Sequence, residues 1–521
     1  MAYDAIVVGA GHNGLAAAVH LASKGWKVGV FERAGVAGGA VKTAELTLPG
    51  FRNDLYAMNL SLFAGSPFFA AHKDGLLKHG LAFVPAPHSF ASAFPDATWL
   101  GVSQDVEETA ARIAALSAED AAAWRAMLAA FAQDAPHVLA LLGAPMPSRQ
   151  ALRVLWAAYR AKGAAGLGEI GRLLLSSPRD FLDRHFNHPK LKAAMAVWGL
   201  HLDFPPDAAG GALFPYLESM ASQSFGMVIG QGGADTMIKA LLGLLKAHGG
   251  ELHLDTPVEA VLKQGGRATG IRLRGGATVE ARRAVVANIH PGHLGTLLDG
   301  GLPNSFRDKI ATFRPGPATM MVHYALDRLP PWAAGPDLHR FAYVHLAPDL
   351  AGMTRVYDQA RAGLLPEAPA LVVGQPTALD PSRAPDGKHV LWVQVRVLPS
   401  SIAGDASGEI DGTDWDAIKE RYADRVDRLI EGYAPGFGGT VLGRAVLSPR
   451  DLERDNPNLV GGDSLSGSHH LDQNFLFRPA FGWSRYKTPL DRLYMVGAST
   501  WPGAGVGAGS GFILAKRLAG A

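Results

Sequence analysis

The sequence predicts an α/β protein in which a Rossmann-like nucleotide-binding domain is interrupted by a second domain of mixed sheet and helices. Three observations carry this prediction. Residues 3–32 have the order strand, glycine-rich turn, helix, strand and acidic residue. Residues 489–518 repeat a strand, a glycine-rich turn and a helix, and we expect them to complete the first site because little chain follows. Alternating apolar residues between about 291 and 479 predict longer strands with two distinct faces.

The first unit has the features of a dinucleotide-binding fingerprint. An apolar run at residues 5–8 has the length of a buried parallel strand, and a second strand at residues 28–31 ends at Glu32. The glycines of the turn allow a sharp bend, a close approach to a pyrophosphate and close packing of the helix, whose N-terminus attracts phosphate. Glu32 can accept hydrogen bonds from ribose hydroxyls. The turn glycines are Gly9, Gly11 and Gly14.

A second glycine-rich loop follows the acid at residues 35–43. The segment GAGHNGLAAAVHLASKGWKVGVFERAGVAGGAVKT, residues 9–43, resembles the opening of the phytoene desaturase and carotenoid ketolase-like branch of the FAD-dependent amine oxidase superfamily. The resemblance implies FAD as the cofactor. It also implies further FAD contacts in this segment, from His12, Asn13, Arg33, Gly38 and Gly39.

The resemblance implies a second set of FAD contacts near the C-terminus. In this family the last glycine-rich loop passes along the flavin, and the final helix points its N-terminus at the pyrimidine edge, where it stabilises negative charge. Residues returning from the second domain also reach the cofactor. The residues implied here are Val258, Asn288, Gly497, Ala498, Gly505, Val506 and Gly507. Trp501 stands where many desaturase relatives have His, and we expect its indole beside the substrate.

Length and the family pattern together predict two interleaved domains. We assign residues 1–75, 222–290 and 480–521 to the FAD-binding domain. We assign residues 76–221, predicted to be mostly helical, and residues 291–479 to the substrate domain.

Composition excludes several classes of protein. The net charge of +2, without a run of Lys or Arg, argues against binding to nucleic acid. The absence of cysteine excludes disulfides, iron–sulfur clusters and the redox-active pair of flavoprotein disulfide reductases. No leader or spanning segment is visible, so we expect a cytoplasmic protein. The sequence carries no signal for an oligomeric state.

Residues 148–184 are rich in Lys and Arg, and their first helix is a candidate for contact with a membrane. Its apolar stripe comprises Leu152, Leu155, Trp156 and Tyr159. It is either a peripheral membrane helix that admits a lipophilic substrate from the bilayer, or a substrate-domain helix with a solvated basic face. Residues 181–225 are also rich in aromatic side chains. These side chains either line a tunnel for a long apolar substrate or belong to the core.

The chemistry is expected to belong to the flavin, with a proton passing to a nearby base or to solvent. His323, His345 and His469 are the candidate bases, and Trp501 completes the predicted catalytic set. We predict no metal site, because the adjacent residues His469 and His470 point in opposite directions on an extended chain.

Three functions stay open at this point. The first is an FAD-dependent oxidoreductase that acts on an apolar small molecule of isoprenoid or carotenoid type, by hydride transfer to flavin N5 in desaturation or oxidation, or by isomerisation. The second is an amine or amino-acid oxidase that uses FAD and oxygen. The third is a non-enzymatic lipid- or prenyl-binding protein of the same fold. Since only one nucleotide unit exists, oxygen or a quinone is the expected electron acceptor.

Overall fold

A computed structural model describes residues 2–299 and 301–520. The strands in that part of the chain are β1 (Ala2–Val8), β2 (Val28–Phe31), β3 (Thr43–Ala44), β4 (Asn53–Asp54), β5 (Phe83–Ala86), β6 (His88–Ala93), β7 (Trp99–Ser103), β8 (Met227–Gly230), β9 (Glu251–His253), β10 (Val258–Gln264), β11 (Arg267–Leu273), β12 (Thr278–Ala287), β13 (Ala318–Leu326), β14 (Tyr343–Leu346), β15 (Leu364–Leu365), β16 (Ala370–Gly374), β17 (His389–Leu398), β18 (Gly404–Asp405), β19 (Val441–Leu447) and β20 (Leu493–Met495).

The helices of the same residues are α1 (His12–Ser23), α2 (Ser61–Ala64), α3 (Pro67–Lys78), α4 (Val106–Ala114), α5 (Ala118–Leu142), α6 (Arg149–Leu175), α7 (Pro178–His185), α8 (Pro189–Leu200), α9 (Leu213–Phe225), α10 (Asp235–Ala247), α11 (Leu294–Leu297), α12 (Asn304–Ala311), α13 (Leu350–Arg361), α14 (Trp415–Tyr433), α15 (Pro449–Asp455) and α16 (Gly509–Leu518). None of these helices is both long enough and apolar enough to cross a membrane.

The first large sheet is the Rossmann-like sheet that the sequence predicts. Its order is β10-β11-β12-β1-β2-β9, and β20 pairs with the second half of β12. β9, β2, β1, the end of β12 and β20 run parallel, whereas β10, β11 and the start of β12 form an antiparallel meander. All four residues of β2 are buried, as expected of a strand covered on both faces. The predicted α/β class is confirmed.

The second large sheet has the order β19-β13-β17-β16-β14-β6-β7. It is mixed, because β14 runs parallel to β6 while its other pairs are antiparallel. The prediction that residues 76–221 are mostly helical holds for α4 to α9 but misses β5, β6 and β7. Five of the six residues of β6 are buried, so the strand shows no alternation of apolar and polar residues for a sequence pattern to reveal.

The two faces of the second sheet have different neighbours. One face packs under α14, where Val322 and Val393 share a core with Tyr422. The opposite face, to which Tyr343 and Trp392 belong, packs toward the helical layer of α8 and α9. The residues of this second face alternate with those of the first along each strand.

A buried ion network joins the loop before β17 to β4 and to the turn before α10. Arg383 has no exposed surface and donates to the carboxylates of Asp54 and Asp380. Asp54 also accepts the N–H of Ala234 at 2.7 Å, and Asp380 accepts that of Gly232 at 2.6 Å. Three segments that are distant in sequence are therefore fixed to one another by charge-assisted hydrogen bonds.

The first and last helices touch backbone to backbone. Gly511, in the first turn of α16, lies against α1 so closely that a Cβ atom would be 1.8 Å from the carbonyl oxygen of Asn13 and 3.1 Å from the nitrogen of Ala17. No side chain fits there without moving one helix. This contact brings the C-terminal loop beside the N-terminal turn.

We expect Gly511→Ala to lower the melting temperature, because overpacking costs about 1–3 kcal/mol and the clash here is with backbone atoms. Gly432→Ala is the matched control, since Gly432 is an exposed residue of α14 with open space around its Cα. Alanine should be neutral or stabilising there. Thermal denaturation of both variants measures the difference, and equal melting temperatures would contradict the packing argument.

Candidate active site

The turn between β1 and α1 forms a cradle that side chains would fill. A Cβ atom on Gly11 would lie 2.8 Å from Nδ2 of Asn288, and one on Gly14 would lie 2.5 Å from the carbonyl oxygen of Gly9. α1 begins after Gly11 without a side-chain cap, which leaves its first N–H groups to phosphate oxygens. This geometry fits the pyrophosphate of FAD.

Asn288 links the turn to the C-terminal strand. Its N–H donates to the carbonyl of Val8 at 2.8 Å, and its side-chain oxygen faces Gly497, where a Cβ atom would be 3.0 Å away. The N–H of Gly497 donates to Oγ of Ser510 at 2.9 Å. The structure thus brings the predicted residues Asn288 and Gly497 to the turn, with Ala498 next along the chain.

The second glycine-rich loop lies against the first turn. Gly38 forms an isolated parallel bridge with Gly11 and donates its N–H to the carbonyl of Ala10 at 2.9 Å. A Cβ atom on Gly39 would lie 3.2 Å from Cα of Gly11. The predicted residues Gly38 and Gly39 therefore border the same cradle.

Glu32 organises the side of the cradle next to β2. Its carboxylate accepts the N–H of Ala10 at 2.7 Å, and its carbonyl accepts the N–H of Thr256 at 2.8 Å. Val258 follows two residues after Thr256 and so lies near Glu32. Arg33 has a different contact, because its guanidinium donates to two backbone carbonyls at the end of α15.

His12 and Asn13 connect the first turn of α1 to the C-terminal loop. The side chain of His12 hydrogen-bonds the backbone of Gly505, and burial lowers the pKa of His12 to about 4. Nδ2 of Asn13 lies 3.0 Å from Nε2 of His12. The loop residues Val506 and Gly507 follow directly, so this part of the predicted FAD set is also contiguous in space.

Two buried basic side chains hold the C-terminal loop. Nε2 of His469 accepts the N–H of Ala504 at 2.9 Å. The guanidinium of Arg478 donates to the carbonyls of Ala498 at 2.7 Å and Ser468 at 2.9 Å. Burial lowers the pKa of Arg478 to about 9 and the pKa of His469 well below its ordinary value. His469 therefore has a positioning contact, and its role as a base stays a prediction.

Trp501 lies within the core beside the first sheet. Its indole N–H donates to the carbonyl of Ala144 at 2.8 Å, and its carbonyl accepts the hydroxyl of Tyr486 at 2.9 Å. The side chain is 1% exposed. These contacts give the indole structural partners, and its predicted place beside the substrate stays a prediction.

We call the face of the second sheet that is turned toward α8 and α9 the inner face. Its side chains stand in rows, because residues paired across neighbouring strands lie side by side. The first row contains His323, Trp392, Gly374, Tyr343 and Phe90. The second row contains Met321, Gln394, Val372, His345 and Ser92, and Arg396 stands in the next row of β17. The structure therefore brings the predicted bases His323 and His345 onto one surface, and it holds His469 elsewhere.

Within the described chain, many buried polar atoms on and opposite the inner face have no hydrogen-bond partner. They are both ring nitrogens of His323 and of His345, the indole nitrogens of Trp392 and Trp198, Nε of Arg396, Nε2 of His201, and Oγ of Ser92 and Ser219. Buried polar groups are normally hydrogen-bonded. The inner face is therefore suited to a ligand that supplies the missing partners.

The two histidines of the inner face are neutral at neutral pH. Burial lowers the pKa of His323 to about 4, and burial with the nearby charge of Arg396 lowers that of His345 to about 3. The ring of His345 lies 5.2 Å from Trp198 and 5.8 Å from Phe90. Trp198 is thus one aromatic residue of segment 181–225 that reaches the inner face.

Glu218 on α9 is a half-buried acidic residue that the sequence analysis did not single out. Burial raises its pKa to about 7, and its charge acts on the hydroxyl of Tyr343. No hydrogen bond or ion pair joins it to another described residue. A sequence signal existed, because Glu218 is the only charged residue between Asp207 and Asp235. Across residues 2–299 and 301–520, no cluster of three or more His, Asp or Glu side chains could hold a metal ion.

Comparison with known proteins agrees with this arrangement. Residues 14–506 match the family model of flavin-containing amine oxidoreductases. The chain is 32% identical to pyridine nucleotide-disulfide oxidoreductase domain-containing protein 2 of Rattus norvegicus, over 97% of this chain and 91% of that protein. It is 27% identical to the neurosporene-forming phytoene desaturase of Cereibacter sphaeroides, over 98% of this chain and 94% of that protein.

Solved structures of the same fold include an oxidoreductase from Methanosarcina mazei, with a TM-score of 0.61, 18% identity and 99% of each chain covered. Putrescine oxidase bound to putrescine has a TM-score of 0.58 and 16% identity, over 100% of this chain and 98% of that chain. At these identities the likeness extends to the fold alone.

We expect Gly11→Val to abolish retention of FAD, because its side chain would occupy the cradle and contact Asn288. Gly439→Val is the control, since Gly439 is exposed and no heavy atom lies within 4 Å of the place that its Cβ would take. The ratio of flavin to protein absorbance after gel filtration measures retention. Normal flavin content in Gly11→Val would contradict the assigned cradle.

Proposed function

Because the chain belongs to the family of flavin-containing amine oxidoreductases and is an FAD-dependent oxidoreductase, we propose that it acts on an apolar substrate of isoprenoid or carotenoid type. The observation that carries this proposal is the group of aromatic side chains on and opposite the inner face, which pack in one buried cluster. Tyr343 and Trp392 are stacked with their ring centroids 5.7 Å apart, and Phe90 and Trp198 meet edge to face at 5.0 Å. Flat rings of this kind suit an extended polyene.

FAD, when bound, supplies the two-electron acceptor for desaturation or oxidation. The chain contributes the rest: free N–H groups at the start of α1, the glycine-rich loop held by His469, and the dipole of α16 near that loop. The phytoene desaturases among the relatives support a polyene substrate. The cysteine-free chain argues against disulfide chemistry, despite the words in the name of the rat relative.

Glu218 is the group best suited to accept the substrate proton. A general base works best when its pKa lies near the working pH, and the pKa of Glu218 is about 7. The lower pKa values of His323 and His345 make their rings weaker bases. The two histidines instead offer neutral hydrogen-bonding groups on the inner face.

Amine oxidation is the second candidate. Glu218, when ionised, could pair with a substrate ammonium group, and the stacked rings of Tyr343 and Trp392 could flank it. The lysine expected near the flavin of such oxidases is not among the residues of the two inner-face rows. This absence favours the apolar substrate. Either way, we propose oxygen or a quinone as the final electron acceptor.

We expect a polyisoprenoid polyene in detergent micelles to bleach the visible flavin band under anaerobic conditions. Glu218→Gln should slow bleaching by about 10²- to 10⁴-fold, the usual contribution of a general base, without loss of FAD. Glu280→Gln, on the exposed side of β12, is the control. Bleaching by amines but not by polyenes would replace this proposal with the second candidate.

We also propose that α6 docks on an anionic bilayer from which an apolar substrate enters. Leu152 is 67% exposed and Trp156 is 59% exposed, and Leu155 and Tyr159 extend the same stripe. The helix is anchored to the protein on another side, by buried Ala151 and Ala158. Arginines flank the exposed stripe, namely Arg149, Arg153 and Arg160. This combination of exposed apolar rings and flanking basic groups suits a surface of anionic lipid.

We expect the double variant Leu155→Ser and Trp156→Ser to lose most cosedimentation with phosphatidylglycerol vesicles. Each side chain removed from the bilayer forfeits roughly 1.5–3 kcal/mol, so affinity should fall more than tenfold. Leu442→Ser, which removes an exposed apolar side chain from β19, should bind normally. Undiminished binding by the double variant would exclude α6 as the contact.

A further inference from the structure

Arg396 is a buried cation on which the buried carboxylate of Asp463 acts without forming an ion pair among the described residues. It lies on the inner face, in β17, and is 9% exposed. Its guanidinium makes two long contacts, at 3.4 Å to the carbonyl oxygen of His201 and at 3.3 Å to Nδ1 of the same residue. No carboxylate among the described residues forms an ion pair with it, and burial lowers its pKa to about 10.

The other buried arginines of the described chain show what Arg396 lacks. Arg383 has two carboxylates, from Asp54 and Asp380. Arg425 pairs with the carboxylate of Asp405, and Arg478 is surrounded by backbone carbonyls. An unpaired buried charge costs far more than a paired one. The contrast indicates that the charge partner of Arg396 belongs to a bound molecule and not to the chain.

The backbone beside Arg396 is strained in a way that orients its side chain. Between Val395 and Leu398 the register with β13 shifts, so two residues of β17 stand opposite one residue of β13. Val397, in this bulge, has φ of +62°, a left-handed conformation that is rare for a β-branched residue. Bulges redirect side chains, and such strain is concentrated at functional sites.

Four of the unpaired groups around Arg396 are donors. Because Nδ1 of His201 accepts from Arg396, the proton of this neutral ring resides on Nε2, which has no partner. The indole N–H groups of Trp198 and Trp392 and the Nε–H of Arg396 are also unpaired. A ligand that satisfies these groups must present acceptor oxygens, and the positive charge favours an anion.

A surface cavity of about 310 Å³ opens beside this cluster. Val397 and Tyr357 line it, and the hydroxyl of Tyr357 experiences the charge of Arg396. Arg314, which is ion-paired with Asp472 at 2.7 Å, and the exposed Arg361 also line it, and the single carboxylate of its lining, Asp203, lies 3.6 Å from the ring of His470. The charge of Arg361 would attract an anion to this cavity, next to the strand that carries Arg396.

We propose that Arg396 binds the carboxylate of an amphipathic substrate whose apolar body lies along the rings of the inner face. The substrate class is then a long-chain or polyene carboxylic acid rather than a plain hydrocarbon. This inference rests on the proposed function for the identity of the apolar body. The recognition of the carboxylate follows from Arg396, His201, Trp198 and Trp392.

The test compares all-trans-retinoate with all-trans-retinol, which share a polyene but differ in the end group. Binding to the FAD-loaded protein is measured by quenching of tryptophan fluorescence. The wild type should bind retinoate roughly ten- to a hundredfold more tightly than retinol, the range that a charge-assisted hydrogen bond provides. Arg396→Met should bring the two dissociation constants together, and Arg355→Gln, an exposed arginine of α13, should not.

Stability separates a binding arginine from a structural one. If Arg396 serves the ligand, Arg396→Met should keep its FAD and melt at or above the temperature of the wild type without ligand, because an unpaired buried charge is removed. Loss of FAD, a lower melting temperature, an undiminished preference for retinoate in the variant, or no preference in the wild type would each overturn the proposal.

The binding assay requires no turnover, so its outcome does not depend on whether the proposed redox reaction takes place. Preferential retinoate binding that depends on Arg396, without bleaching of the flavin by any polyene, would support the carboxylate site and reject the proposed redox reaction. Bleaching by a polyene hydrocarbon with no preference for retinoate would retain the reaction and reject the site.

Discussion

The contact between α1 and α16 at Gly511 is the constraint on which the cofactor site depends. It joins segments from opposite ends of the chain at backbone distance, and the rest of the cradle is built around that junction. Asn288 fills the space between the first turn and Gly497, and His12 reaches the loop at Gly505. The Arg383 network then ties the loop before β17, a strand of the second sheet, to β4 and to the turn before α10.

The strand, turn and helix of the first unit could be predicted because their signals are local. Glycine spacing, a short apolar strand and a terminal acid are all encoded within residues 3–32, and the structure brings Gly9, Gly11, Gly14 and Glu32 together as that order implies. Arg33 is the exception, since its contacts are to the end of α15, which no local pattern reveals.

The inner face could not be predicted from local patterns, because the strand pairing and its register determine which side chains share that face. His323 and His345 could be chosen as candidate bases, but their shared surface depends on pairing among five strands that span residues 88–398. Glu218 reaches the same interior from a helix. His469 and Trp501 lie close to motifs in sequence, yet each makes hydrogen bonds that fix backbone, at Ala504 and Ala144. Proximity to a motif gave no information on which side chains face a ligand.

The electrostatics of the inner face distinguish among substrates more sharply than its shape does. Burial makes His323 and His345 neutral, and the Arg396 charge lowers the pKa of His201 and His345 further, so none of these rings competes with Arg396 for an anion. The charges of Glu218 and Arg396 both act on the hydroxyl of Tyr343. A substrate with a carboxylate at Arg396 would lie on the face that carries Tyr343, on which the charge of Glu218 acts. An ammonium substrate would satisfy Glu218 but leave the donors around Arg396 without acceptors, which is the costlier arrangement in a low-dielectric interior.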